Sequence, residues 1–252
     1  FHQLLVRQGF ELPDPARGRA GLRTARSSDT AEQSTLLEAR DLEFRYPGTG
    51  AGPSVEFTLR IERLRLAAGR TMALVGDNGS GKSTLGRLLC GLLVPQQGVI
   101  RIRKDGRLQP AAESDLNRFT GYLFQDPDLQ IFLPTIFQEL ALGLKRLELT
   151  EQETRSRVEQ AVGLFGLPGS QTPPSLMSYG NRKKLQAAVY YLLDRPLVII
   201  DEGDSGLSVS DFTHMIRIFR NPERALVFIT HDHRLAGALA DEVVELRLGR
   251  PA

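Results

Sequence analysis

What most constrains this chain is the stretch Gly76-Asp77-Asn78-Gly79-Ser80-Gly81-Lys82-Ser83-Thr84. It follows the apolar run Thr71-Met72-Ala73-Leu74-Val75 and precedes Leu85, Leu88, Leu89 and Leu92 at helical spacing. Strand, glycine-rich turn and helix, in that order, are the context that the pattern G-x-x-x-x-G-K-[ST] requires. Gly76, Gly79 and Gly81 keep the turn bare, so that backbone N–H groups and a helix N-terminus can close around an anion. Lys82 then reaches the β- and γ-phosphates of a nucleoside triphosphate, and the Ser83 hydroxyl is placed to ligate Mg²⁺. A glycine-rich turn that binds nothing is the bland alternative, and it leaves the strand and helix on either side unexplained.

A second anchor is Leu197-Val198-Ile199-Ile200-Asp201-Glu202. A buried strand ending in an acid delivers a carboxylate beside the metal of such a site, and Asp201 fits that role. Glu202, one residue on, suits a general base that polarises an attacking water. Strand-then-acid means little alone, because any strand can end in acids; downstream of a phosphate loop it gains meaning.

Around these anchors the pattern alternates between strands and helices. Leu42, Phe44 and Tyr46, then Val55, Phe57, Leu59 and Ile61, alternate with polar residues as half-buried strands, parted by a Gly/Pro-rich turn over 47–53. Val99-Ile100-Arg101-Ile102 and Arg107-Leu108 predict a hairpin about Asp105-Gly106. Thr120-Gly121-Tyr122-Leu123-Phe124, Ala225-Leu226-Val227-Phe228-Ile229 and Val243-Val244-Glu245-Leu246 predict further strands. Helices are expected over 134–144, 151–165 and 182–193, the second opened by a capping box of Thr150 and Glu153. The expected fold is α/β: a mainly parallel core sheet, an antiparallel β subdomain, and a helical subdomain over about 127–180. Residues 1–35 differ: Pro/Gly/Ser-rich stretches predict a linker, residues 1–10 could be the last helix of a preceding domain, and Phe1 is no initiator, so a piece of a longer protein or a processed chain is expected. The main domain is expected over 36–252.

Bulk properties remove other classes. A formal net charge of +2 gives no electrostatic case for nucleic acid. The single cysteine, Cys90, forbids an internal disulfide and sits on the apolar side of the helix after the loop, as a core residue would. No apolar run approaches the roughly 18 residues of a membrane span, so any membrane role is peripheral.

With both anchors in order, the chain resembles an ATP-binding cassette (ABC) ATPase of the P-loop type over residues 36–252. The resemblance implies roles for further residues. Gln125, in Tyr122-Leu123-Phe124-Gln125-Asp126-Pro127-Asp128, matches the glutamine that senses the γ-phosphate and metal. Met177-Ser178-Tyr179-Gly180-Asn181 matches the signature Leu-Ser-Gly-Gly-Gln, with Ser178 and Gly180 kept to contact the ATP of a partner cassette. Tyr179 and Asn181 depart from it, and the bulk of Tyr179 predicts a weaker half-site. Ser208 stands where an aspartate is expected, which predicts altered communication between cassettes. His231, after the strand ending Phe228-Ile229-Thr230, matches the γ-phosphate contact, and Tyr46 the aromatic that stacks on adenine. His214 and His233 have no such context.

The stretch Gln125-Asp126-Pro127-Asp128-Leu129-Gln130-Ile131-Phe132, with Pro134-Thr135 and an acidic, apolar helix after it, is similar to energy-coupling-factor and cobalt-type importer ATPases. That resemblance implies hydrolysis of ATP with Mg²⁺ by Lys82, Glu202, His231 and Gln125. It implies a second cassette as partner, possible in the same chain, and a transmembrane subunit whose coupling helices carry arginines toward Asp126 and Asp128. The place of action is then the inner face of the cell membrane, and the cargo a vitamin or metal ion. Two other classes stay open. A soluble ABC protein of translation or DNA repair shares the cassette, though no sustained heptads separate phosphate loop from signature. A P-loop small-molecule kinase would leave Ser178, Glu202 and His231 unexplained.

Overall fold

Leu37 and Ala39 are buried with Glu38 between them, then Leu42 and Phe44 alternate with more exposed neighbours in the opposite phase. Asp41, at φ 50, takes up the slip. This bulge divides β1 (Thr35–Arg45), and it explains why the period-2 pattern is legible only from Leu42. The computed structural model describes residues 34–46, 57–247 and 250–251. Of the linker expected over 1–35, residues 1–33 lie outside the described residues, as do the turn over 47–53 and Val55, while Thr35 already opens β1.

Two sheets form. The first is antiparallel, in the order β2-β1-β4-β5, with β2 Thr58–Ala67, β4 Gln97–Lys104 and β5 Arg107–Pro110. The hairpin turn at Asp105-Gly106 has positive φ at both residues, as a tight two-residue connection requires. The second sheet runs β10-β9-β3-β8-β7-β6, with β3 Thr71–Val75, β6 Thr120–Leu123, β7 Leu197–Asp201, β8 Ala225–Ile229, β9 Glu242–Arg247 and β10 Arg250–Pro251. All its pairings are parallel except β10 to β9. Every residue of β3, β6, β7 and β8 is buried, which is why these strands read as continuous apolar runs.

Both faces of the parallel sheet are covered. Leu74, Ile199 and Val227 on one face pack with Leu85, Leu88 and Leu89 of α1 (Lys82–Leu89) and with Leu37, Leu59 and Ile100 of the antiparallel sheet. Val198, Ile200 and Phe228 on the other face belong to a cluster with the helices inserted between β6 and β7: α3 Ile136–Leu144, α4 Glu151–Leu164 and α5 Tyr179–Leu193. The capping box of Thr150 and Glu153 opens α4 as expected. Three α-helices lie beyond those expected from the pattern: α2 (Glu113–Phe119), α6 (Val209–Phe219) and α7 (His233–Leu239). The signal for α6 was present, since Ser208 and Asp211 cap it and Phe212, Met215, Ile216 and Phe219 recur at helical spacing.

The loops that follow β3, β6, β7 and β8 all leave the sheet at its carboxyl edge. Register pairs Leu74 with Ile229, Asp201 with Ile229 and Leu123 with Ile200, so these four loops start at nearly one level. In open α/β sheets that edge is where ligands bind.

Candidate active site

The phosphate loop is built by two constrained glycines. A Cβ on Gly76, at φ 140, would stand 2.3 Å from the carbonyl oxygen of Leu246. Gly81, at φ 103, is the N-cap of α1 in the left-handed region, where a side chain would be strained and would also meet Phe57 at 2.8 Å. The loop so shaped borders a cleft of about 430 Å³ lined by Tyr46, Phe57, Asn78, Gly79, Gly81, Lys82, Ser83, Thr84 and Glu202. Tyr46 is anchored at its mouth by a hydrogen bond between its hydroxyl and Thr84 Oγ1, 3.2 Å long. Phe57, read from sequence only as a strand residue, stands beside it with ring centroids 6.3 Å apart.

The loop's polar groups fit a polyphosphate. Ser80 Oγ is buried without a hydrogen-bond partner. Lys82 Nζ turns back to donate to the carbonyls of Gly76 at 2.8 Å and Asp77 at 2.9 Å, contacts that phosphate oxygens can replace. Burial holds its ammonium below the usual lysine range, partly offset by Glu202, Asp201 and Asp77. The donor set beside it fits Mg²⁺: Ser83 Oγ donates to Asp201 Oδ1 over 3.0 Å, a pair of hard oxygens next to the phosphate cradle. Among the described residues no group of three or more His, Cys, Asp or Glu could hold a metal by itself. Mg²⁺ does not need one, since it takes one or two protein oxygens and fills its remaining positions with phosphate and water.

Two of the expected residues, Gln125 and His231, meet on a third, Glu202. Gln125 Nε2 donates to Glu202 Oε2 at 2.5 Å, and His231 Nε2 lies 3.0 Å from Glu202 Oε1. Gln125 follows β6, Glu202 follows β7 and His231 follows β8. Glu202 sits at φ 46, an uncommon conformation for a non-glycine residue, and it is pinned there on both sides. Its N–H donates to Ile229 O over 3.1 Å, and its carbonyl accepts from Lys183 Nζ at 2.6 Å.

Ser178 and Gly180 are placed elsewhere. Ser178 caps α5, its hydroxyl accepting from Asn181 N at 3.3 Å, and neither residue lines the cleft. α5 therefore begins at Tyr179, three residues before the apolar spacing suggested. Tyr179 Oη donates to the carbonyl of Gln125 over 2.8 Å, with its ring against Gly206, where a Cβ would lie 2.6 Å from it. Ser208 caps α6. His214 is exposed and bonded to the Leu164 carbonyl, and Cys90 is a buried thiol pushed up to about 11 by desolvation.

Asp126 and Asp128 are both exposed, and each also has a partner within this chain. Asp128 is held by Arg182 of α5, Nε to Oδ1 at 2.7 Å, and Asp126 caps the short turn Pro127–Leu129 by accepting from Asp128 N. The arginine that satisfies Asp128 comes from this chain, 54 positions away, which no local pattern shows.

A phosphate cradle between β3 and α1, with a glutamine, two acids and a histidine at the ends of neighbouring parallel strands, defines a P-loop ATPase of the cassette class. The ABC transporter family model matches residues 59–205. The chain is 36% identical to the nickel import ATP-binding protein NikO of Rhodobacter capsulatus, over 86% of this chain and 87% of that one. It is 33% identical to the energy-coupling factor transporter ATP-binding protein EcfA2 of Methanospirillum hungatei, over 85% of this chain and 54% of that one. The structure of cbiO1 from Clostridium perfringens, part of the transporter complex cbiONQ, superposes with a TM-score of 0.73 at 25% identity, over 87% of each chain. This chain belongs to the ABC transporter family and is an ATP-binding, ATP-hydrolysing cassette of the import type.

Proposed function

We propose that this chain hydrolyses ATP as one half of a cassette pair that energises a membrane importer of metal ions or vitamins. The observation that carries the reading is the convergence of Gln125 and His231 on Glu202 at the mouth of the phosphate-loop cleft. ATP would seat its phosphates on the loop N–H groups and draw Lys82 off its own carbonyls, with the base against Tyr46. Ser83 and Asp201 would hold Mg²⁺, which when bound neutralises charge building on the β- and γ-phosphate oxygens. Glu202 then takes a proton from a water aligned behind the γ-phosphate while His231 contacts a terminal oxygen. The water oxygen bonds to phosphorus, the bond to the β-phosphate oxygen breaks, and ADP and phosphate leave.

The partner cassette, a second copy or a different chain or a segment of the same one, would offer its signature to this cleft, and Ser178 and Gly180 of this chain would face the partner's ATP. Among the described residues no helix is long and apolar enough to cross a membrane; a transmembrane subunit would carry the cargo path. Its docking place is supported by a groove of about 490 Å³ lined by Asp128, Ile131, Phe132, Pro134, Pro174 and Arg182. Phe132 and Leu176, 75% and 79% exposed, stand out beside it without a cover. The nickel import and energy-coupling factor relatives favour this reading over a translation or repair ATPase.

Glu202→Gln tests the chemistry. It keeps the shape and the bond to Gln125 or His231 but cannot accept the water's proton. With the native partner cassette and Mg·ATP, this variant is expected to accumulate as an ATP-bound closed pair on sizing chromatography, with phosphate release at least about 100-fold slower. Wild-type turnover by Glu202→Gln would end the assignment of the base.

A further inference from the structure

We propose that Tyr122 is a positioning residue for the metal site, fixing the Asp201 carboxylate so that one oxygen is presented to Mg²⁺ beside Ser83. This rests on the reading of Ser83 and Asp201 as the ligands and adds the residue that orients them. Asp201 is 3% exposed, and each of its oxygens has one donor. Ser83 Oγ reaches Oδ1 at 3.0 Å, while Tyr122 Oη reaches Oδ2 at 2.5 Å. The same phenol lies 3.5 Å from the Ser83 carbonyl, so it touches both sides of the pair.

The fold makes room for this contact. β6 and β7 run parallel with Tyr122 opposite Ile199, and the ring leans along the strands toward Asp201 on the face covered by α1. Gly86 of α1 permits that path, because a Cβ there would come within 2.8 Å of the ring. Phe124 packs edge-on against the ring with centroids 5.1 Å apart, and Gln130 Nε2 donates to the Tyr122 carbonyl at 3.0 Å. Tyr122 is itself 3% exposed, so no water substitutes freely for its hydroxyl. Without that donor Oδ2 is a buried acceptor with no partner, and the carboxylate is free to rotate toward Ser83 with either oxygen. Partners that orient metal ligands in this way typically hold about 10–100-fold of metal affinity.

The test measures binding rather than turnover. A fluorescent, non-hydrolysable ATP analogue is titrated into the full chain with EDTA and again with Mn²⁺, and the ratio of the two affinities gives the metal-dependent gain. Tyr122→Phe keeps the ring packing; its affinity in EDTA should stay within about twofold of wild type, and its Mn²⁺ gain should fall about tenfold. Asp201→Asn should abolish most of the gain, and adding Tyr122→Phe to it should cost nothing further, because the tyrosine acts through that carboxylate. The electron paramagnetic resonance spectrum of bound Mn²⁺ should differ between wild type and Tyr122→Phe. If Tyr122→Phe does not fold, Gly86→Ala displaces the phenol instead and should lower the same gain. An intact gain in Tyr122→Phe alongside a lost gain in Asp201→Asn overturns this proposal alone. An intact gain in Asp201→Asn overturns the ligand assignment under it. Losses that multiply in the double variant also overturn it, since the two residues would then act separately.

Discussion

Lys82 shows how a residue can be identified by sequence and still be found in another posture. The motif assigns it to the phosphates, yet its amine bonds the carbonyls of Gly76 and Asp77, which hold the loop open to an anion of the right size. Removing it costs a charge-assisted contact to the nucleotide, about 1.5–3 kcal/mol, so Lys82→Ala should bind Mg·ATP roughly 10- to 100-fold more weakly by calorimetry. Equal affinity for both proteins would remove Lys82 from the site. The same scale separates what the motif could and could not show. Lys82, Ser83 and Asp201 are legible because their neighbours in sequence announce them. Tyr122 and Phe57 are not, since in a strand of apolar and aromatic residues nothing local distinguishes a ring that packs from one that reaches a carboxylate or borders a cleft.

At the scale of elements, the antiparallel sheet holds an unusual arrangement. Glu38 of β1 is 2% exposed and lies among guanidinium groups from three strands: Arg40 at 2.7 Å, Arg65 at 2.8 Å and Arg63 at 3.0 Å, with Arg101 at 3.9 Å. Burial raises its pKa, but the bonds and charges of Arg40 and Arg65 outweigh that and hold the carboxyl below the usual range. A depressed folded-state value means the contribution is whole above the unfolded value of about 4.5 and is lost as pH falls through the folded one. Glu38→Gln should therefore lower stability at neutral pH by about 1–3 kcal/mol and flatten the acid side of the stability curve below about pH 4.5. Denaturant titrations at several pH values measure both, and parallel curves for variant and wild type would show that the arginines need no carboxylate there. α5 carries a comparable lesson for function. Its first turn binds the Gln125 carbonyl through Tyr179, the Glu202 carbonyl through Lys183, and Asp128 through Arg182. The helix that bears the signature is thus tied to both arms of the candidate catalytic group within one chain.

For the whole molecule, the order of loops along the carboxyl edge of the sheet sets what the cassette can do, and the outer groove beside Phe132 and Leu176 is the proposed docking face. Asp128 is already paired with Arg182, so the test of docking is placed on the apolar side chains. Phe132→Glu together with Leu176→Glu places charge on an apolar contact and should abolish uptake by the reconstituted transporter while ATP affinity of the chain stays within about twofold. Uptake at the wild-type level would move the membrane partner to another face. Sequence by itself determined the phosphate loop, the buried strands and their alternation with helices, the acids after β7 and the histidine after β8, because each is written in contiguous residues whose spacing matches one local geometry. Only the tertiary structure decided that Gln125, Glu202 and His231 touch, that Arg182 claims Asp128, that Tyr179 bridges to Gln125 and that Tyr122 holds Asp201. Those contacts join residues from 29 to 79 positions apart, and they depend on strand register and helix packing, which follow from how the buried faces fit together.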